Sequence, residues 1–209
     1  MIAEGAGAAA ARTVRAGRFE LVDTEGRVRG VLGMAADAPF IALLGPVGEA
    51  RAVLRVTADG VALDLLDTAG KLRAAVTIDV AGSDLALADA AGKVRAHLAA
   101  TADGAALKIL DAAGKVRAEL AVAADKAGLN IVNAAGKIRA VLAVDVDGPR
   151  LTLLDAVGKP RVLVDVDADG ATLHIFNAAG RPGAVVGVGA DGPSLTFWDA
   201  AGVPVASVP

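Results

Sequence analysis

From Asp23 to the C-terminus one 22-residue frame repeats without an insertion or a deletion, and its clearest copy is Asp111–Val132, DAAGKVRAELAVAADKAGLNIV. Nine turns open the copies, at Asp23, Gly45, Asp67, Asp89, Asp111, Asn133, Asp155, Asn177 and Asp199. A Gly stands three residues into each of them, from Gly26 to Gly202. Self-similarity at a fixed period restricts the chain to a tandem array of one supersecondary unit, so it decides the architecture before any local propensity does.

Count the turn residue as position 0. Positions 5, 7, 9 and 11 are apolar in nearly every copy, as in Val116, Ala118, Leu120 and Val122, with Lys115 and Arg117 interleaved. This alternation marks a half-buried strand rather than a helix. Positions 18 and 20 repeat the pattern in Leu107/Ile109, Leu129/Ile131 and Leu151/Leu153, so a second strand precedes each turn. In Asp-Ala-Ala-Gly-Lys the Asp carboxylate meets a local N–H, and the Gly sits where positive φ is needed. The other connection carries tight-turn chemistry too, in Thr57-Ala58-Asp59-Gly60 and Thr101-Ala102-Asp103-Gly104. Reversal at both strand ends favours antiparallel hairpins over a parallel β-helix. Register stays open. A four-residue loop without a bulge puts Leu107 and Ile109 on the face of Val116 and Ala118, whereas one Gly bulge brings Arg117 beside Ile109.

The first strand is expected near Phe19–Val22 and the last over Val203–Val208, two complementary half-hairpins. Open arrays usually carry polar caps, and neither end offers one. The expectation is therefore an all-β fold of nine tandem 22-residue β-hairpin repeats closed into a ring or shallow barrel. An open β-solenoid is the alternative. Residues 19–209 form the single repeat domain, after a frayed segment 1–18. Phe19, Phe40, Phe176, Phe197 and Trp198 lie only in the first two and last two hairpins, where they would pack at a closure or plug two ends. Pro160, Pro182 and Pro204 at position 5 predict splayed late hairpins, because proline donates no ladder hydrogen bond.

Composition narrows function by exclusion. Hydrophobic residues make up 55 % and aromatics 2 %, so packing rests on Leu, Val, Ile and Ala, and base-stacking or sugar platforms are not expected. Charge or Gly interrupts every apolar run well short of the roughly 18 residues of a membrane helix, so no transmembrane segment is expected. A net charge of −3 gives no reason to expect nucleic acid. Without Cys there is no disulfide, thiolate or Cys-ligated metal. MIAEGAGAAAARTVRAG is a poor match to a secretory signal.

The unit LxLxDxxGKxRAxLxVxxDG, over about residues 19–208, resembles the hairpin repeats of bacterial proteins of the β-flower type. The resemblance implies hairpins radiating as petals around a shallow central barrel. It also implies a lipid or hydrophobic-ligand role, suggested for that family, and no catalytic residues.

Two ladders are the candidate sites. Leu63, Leu85, Leu107, Leu129, Leu151, Leu173 and Leu195 recur at position 18 and would line an apolar pocket, or simply form a packed core. Lys71, Lys93, Lys115 and Lys137 at position 4, with Arg73, Arg95, Arg117, Arg139 and Arg161 at position 6, would form cationic bands meeting anionic headgroups. Their plainer reading is pairing with the turn Asp of each copy. Asp165-Val166-Asp167-Ala168-Asp169-Gly170 begins like a Ca²⁺ loop but has Phe176 where the bidentate Glu belongs, so no metal is expected. His97 and His174 stand alone, with no triad, nucleophile elbow or phosphate loop, so no catalytic residue or cofactor is expected. The sequence thus favours a non-catalytic scaffold or interaction module, docking or self-associating as a homo-oligomer through an apolar face. The alternative is a membrane-surface carrier of lipid or another apolar small molecule.

Overall fold

The computed structural model describes residues 14–208, and the N-terminal expectation for residues 1–13 lies outside them. Eighteen strands follow in chain order. The first nine are β1 (Arg18–Val22), β2 (Val28–Ala35), β3 (Ala38–Leu44), β4 (Ala50–Val56), β5 (Gly60–Leu66), β6 (Leu72–Asp79), β7 (Gly82–Ala88), β8 (Val94–Thr101) and β9 (Gly104–Leu110). The second nine are β10 (Val116–Val122), β11 (Ala127–Val132), β12 (Ile138–Asp145), β13 (Gly148–Leu154), β14 (Pro160–Asp167), β15 (Gly170–Phe176), β16 (Pro182–Gly189), β17 (Gly192–Trp198) and β18 (Pro204–Val208). Every strand pairs antiparallel with its neighbours in sequence, as predicted for a run of hairpins.

The Asp turns explain the register. The Gly114 N–H donates to the Asp111 carbonyl at 2.9 Å, and the Asp111 N–H donates to the Lys115 carbonyl at 2.9 Å. Gly114 has φ 78°, left-handed, and shifts the pairing by one. A second bulge follows at once: Leu110 opposes Val116, but Ile109 opposes Ala118, leaving Arg117 without a partner across the ladder. Two shifts restore parity. Leu107 and Ile109 therefore share a face with Ala118 and Leu120, and Arg117 does not intrude. The other connection is a plain two-residue hairpin, in which Thr101 opposes Gly104. Gly104 is required there because a Cβ would lie 2.0 Å from the Val122 carbonyl oxygen on the next strand. Lys126 takes that place in β11, which starts one residue later in the unit than β9 or β13.

Ring closure does not occur. Among the described residues β1 pairs only with β2 and β18 only with β17, and the sheet stays open. Position 7 meets 20, 8 meets 19 and 9 meets 18 in every ladder. Closure by that rule would join Ala206 to Leu21, Ser207 to Glu20 and Val208 to Phe19. Those three pairs compare with six in β12–β13, and no connecting turn offsets the entropy of bringing the ends together. Nor do the end aromatics gather: among the described residues the ring contact found is His174 on Phe176, stacked at 5.9 Å. The late hairpins are not splayed either. Pro160, Pro182 and Pro204 oppose Leu154, Phe176 and Trp198 as the first residues of their strands, beside the bulge, where proline is tolerated.

Among the described residues no second layer covers the sheet. Each strand touches its chain neighbours alone among the described elements, and among the described residues Val31 and Ala42, still 6 % and 8 % exposed, are the only buried hydrophobic side chains. Cohesion therefore comes from cross-strand side-chain pairs, each contributing roughly 0.2–1 kcal/mol.

Candidate functional site

The common register collects like positions into rows that cross the whole sheet. One row takes a residue from each strand: Phe19, Leu32, Ile41, Leu54, Leu63, Val76 and so on to Leu195 and Val208. It contains every leucine proposed from the sequence, Leu63, Leu85, Leu107, Leu129, Leu151, Leu173 and Leu195. A second row on the same face runs through Leu65, Ala74, Leu87, Ala96, Ile109 and Ala118. A third runs through Val56, Val61, Ile78, Ser83, Ala100 and Ala105. Ladder pairing in the third row lapses beside Pro39 and Pro149, which have no N–H to donate.

Among the described residues none of these three rows holds a charge, and Ser83 is their one hydroxyl. The side chains are not covered. Leu98 is 45 % exposed, Ile109 44 %, Leu120 47 % and Leu142 49 %. Instead of closing a pore, the leucines lie on an open face. Gly30 makes a hollow in it of about 260 Å³, walled by Leu21, Leu32, Ile41 and Leu43 and open to solvent.

The opposite face takes the charged strand residues, and it is the better covered. Its middle row, from Val31 to Thr196, is buried or half-buried throughout. Lys108 Nζ sits 3.5 Å from Glu119 Oε1 directly across the ladder, and Arg55 pairs with Asp64 on a diagonal. Both histidines sit on such diagonals: His97 Nε2 lies 3.6 Å from Asp84 Oδ1, and His174 Nε2 lies 4.0 Å from Asp165 Oδ1. Sequence reading missed these partners because they lie on neighbouring strands, at different separations along the chain. Asp165 Oδ1 and Thr172 Oγ1, which face each other across β14–β15, are buried without a hydrogen-bond partner. Among the described residues no three His, Asp or Glu side chains come together in a metal-binding group. In the calcium-like stretch Asp167 Oδ1 accepts the N–H groups of Asp169 and Gly170, which is turn capping.

The basic residues line the edge with the Asp turns and point along it. Lys71, Lys93 and Lys115 donate to the carbonyls of Ala90, Ala112 and Ala134 in the following turn. Arg117 donates to Val132, Arg139 to Asp155 and Ala156, and Arg161 to Asn177 and Ala178. Arg73 and Arg95 face the carboxylates of Asp67 and Asp89, and Lys137 donates its backbone N–H to Asn133 Oδ1. Each turn carboxylate is likewise engaged. Asp111 Oδ1 accepts from Lys115 N–H at 3.0 Å and Ala113 N–H at 2.9 Å, while Arg117 Nη1 stands 3.6 Å from Oδ2. The Lys115 N–H above all holds that carboxyl below its ordinary 3.8; desolvation, the next largest effect, opposes it, and the Ala113 N–H and the Arg117 charge add to the lowering. Asp67, Asp89 and Asp155 are lowered likewise, and Asp23 chiefly by the Arg27 side chain.

No protein-family profile matches the chain, and no curated protein matches it in sequence. No helix of the described residues is long and apolar enough to cross a membrane.

Proposed function

We propose that this chain is a non-catalytic interaction scaffold whose binding surface is the apolar sheet face. The observation behind this reading is the segregation of charge: three adjacent rows without an ionisable group, half-exposed, backing a face that takes the strand charges. With eighteen strands about 4.8 Å apart and outer rows about 14 Å apart, the apolar area is on the order of 1,000 Å². Contiguous apolar patches beyond a few hundred Å² mark interaction sites in soluble proteins.

The second reading is a carrier of lipid or another apolar small molecule, favoured by the open hollow at Gly30 and by the resemblance to β-flower repeats. The basic edge gives it less support, because its Lys and Arg groups already serve the turns. An apolar height of about 14 Å falls short of the roughly 25 Å band of a membrane barrel.

Native mass spectrometry of gently purified protein, paired with an apolar fluorescent dye, tests the reading. Expected is either mass beyond one chain or strong dye binding, with both lost in Leu107→Lys/Leu129→Lys while the far-UV spectrum is kept. A bare single chain that binds no dye would overturn it.

A further inference from the structure

We infer that the occupant of the apolar face is a second copy of this chain, stacked face to face. The inference rests on the scaffold reading above and names its partner. Two relationships support it, one of area and one of shape.

A standard stable interface buries about 800 Å² on each partner. The three rows present on the order of 1,000 Å², so one continuous face is sufficient and no second surface is required. Packed sheets stand about 10 Å apart and fill that gap with interdigitating side chains. Three rows of Leu, Ile, Val and Ala are the material for such a gap.

The shape is more specific. In the row through Ile109, bulky residues come from odd-numbered strands, as Leu87 on β7 and Ile109 on β9, and small ones from even-numbered strands, as Ala96 on β8 and Ala118 on β10, with Val162 on β14 the exception. In the row through Val122 the order is inverted over most of its length: Val122 on β10 and Val144 on β12 are bulky, while Ala105 on β9 and Ala127 on β11 are small. The result is a checkerboard in the two outer rows, on either side of a central row that is bulky throughout, as in Leu98, Leu107, Leu120 and Leu129. A two-fold axis along the strands sets strand n on strand 19 − n, which exchanges odd for even. In the two outer rows bulky then meets small, while the central row meets its like. An axis across the strands sets each strand on its own copy with the two outer rows exchanged, and bulky again meets small. An isologous contact must complement itself in this way. A fluid acyl layer has no use for a fixed alternation of large and small, whereas two facing combs need one to reach interior packing density. The Gly30 hollow, framed by bulky neighbours, is one such socket.

Light scattering coupled to size exclusion, over a range of concentrations, reads the outcome. The wild type is expected at twice the 20.6 kDa chain mass. Ala74→Phe/Ala96→Phe/Ala118→Phe fills three sockets while keeping the face apolar, and is expected to weaken self-association by about tenfold or more. If that variant loses its far-UV spectrum, Ala96→Leu alone serves and is expected to weaken the dimer in the same direction. A wild-type dimer whose affinity ignores the filled sockets would overturn face-to-face stacking. A wild-type monomer that binds apolar dye or carries extractable lipid would overturn the second copy and leave the apolar face as a binding surface. A monomer that does neither would overturn both.

Discussion

Arg117 Nε donates to the carbonyl of Val132 at 2.7 Å, while its Nη1 stands 3.6 Å from the carboxylate of Asp111. One side chain thus ties the turn that opens its own hairpin to the strand end that leads into the next turn. The lysines of successive copies do the same from position 4. The basic ladder is in this respect a lateral seam along one edge of the sheet.

Cutting the seam should cost stability without altering the fold. Arg117→Met keeps the aliphatic stem and removes both polar contacts. With the side chain 38 % exposed, the expected loss is about 1 kcal/mol, read as a lower urea midpoint with an unchanged slope. An unchanged midpoint would show that solvent already satisfies both partners.

Acid should loosen the same edge. Asp67, Asp89, Asp111 and Asp155 have carboxyls held below 3.8 in the folded state. Their contribution is full above the unfolded value and disappears as pH falls through the lowered folded value, so the loss lies below about pH 4. Asn133 and Asn177 hold the same two backbone N–H groups without a charge. Asp→Asn at all four positions should therefore keep the turns and flatten the decline of the urea midpoint between about pH 5 and pH 2.5. A decline as steep as in wild type would place the acid sensitivity elsewhere.

The two kinds of glycine should differ in cost. Gly114→Ala meets open space and strains only a left-handed φ, about 1 kcal/mol. Gly104→Ala drives a methyl to within 2.0 Å of the Val122 carbonyl. The ladder must shift to admit it, at about 2 kcal/mol or more. Thermal unfolding of the two single variants ranks them, and the reverse order would contradict the turn geometry.

Leucines of the central row should be cheap to truncate one chain at a time. Leu120 is 47 % exposed, so Leu120→Ala in dilute protein should cost under about 2 kcal/mol, below the usual range for a buried leucine. If the face is covered by a second copy, the cost and the unfolding midpoint both rise with protein concentration. Chemical denaturation at two widely separated concentrations measures this, and identical midpoints would speak against self-association.

The strands, both turns and the alternation of Val116, Ala118, Leu120 and Val122 were legible in the sequence, because a period of two and a recurring Gly act locally. The face that Ile109 occupies was not. It depends on whether the Gly114 bulge stands alone, and the second bulge at Arg117 has no composition of its own to announce it. Closure was misjudged for a similar reason. The complementary half-hairpins around Phe19 and Val208 match in pattern, but pattern carries no information about the entropy of joining them. The leucine ladder was found, yet its place on an open sheet depends on the absence of a covering layer, which no single unit encodes. The Asp partners of His97 and His174 stayed hidden because diagonal neighbours lie at different sequence separations.

Position 9 meets position 18 in both kinds of ladder, whichever turn joins the strands. Length is therefore a free variable of this design. Adding or removing one whole unit moves every downstream residue by two strands and leaves each in its own row, with the apolar side still apolar and the seam still continuous. A lineage could lengthen or shorten such a chain by recombination between copies and keep a working surface at each step. What would change is only its extent, as a ribbon is cut to measure.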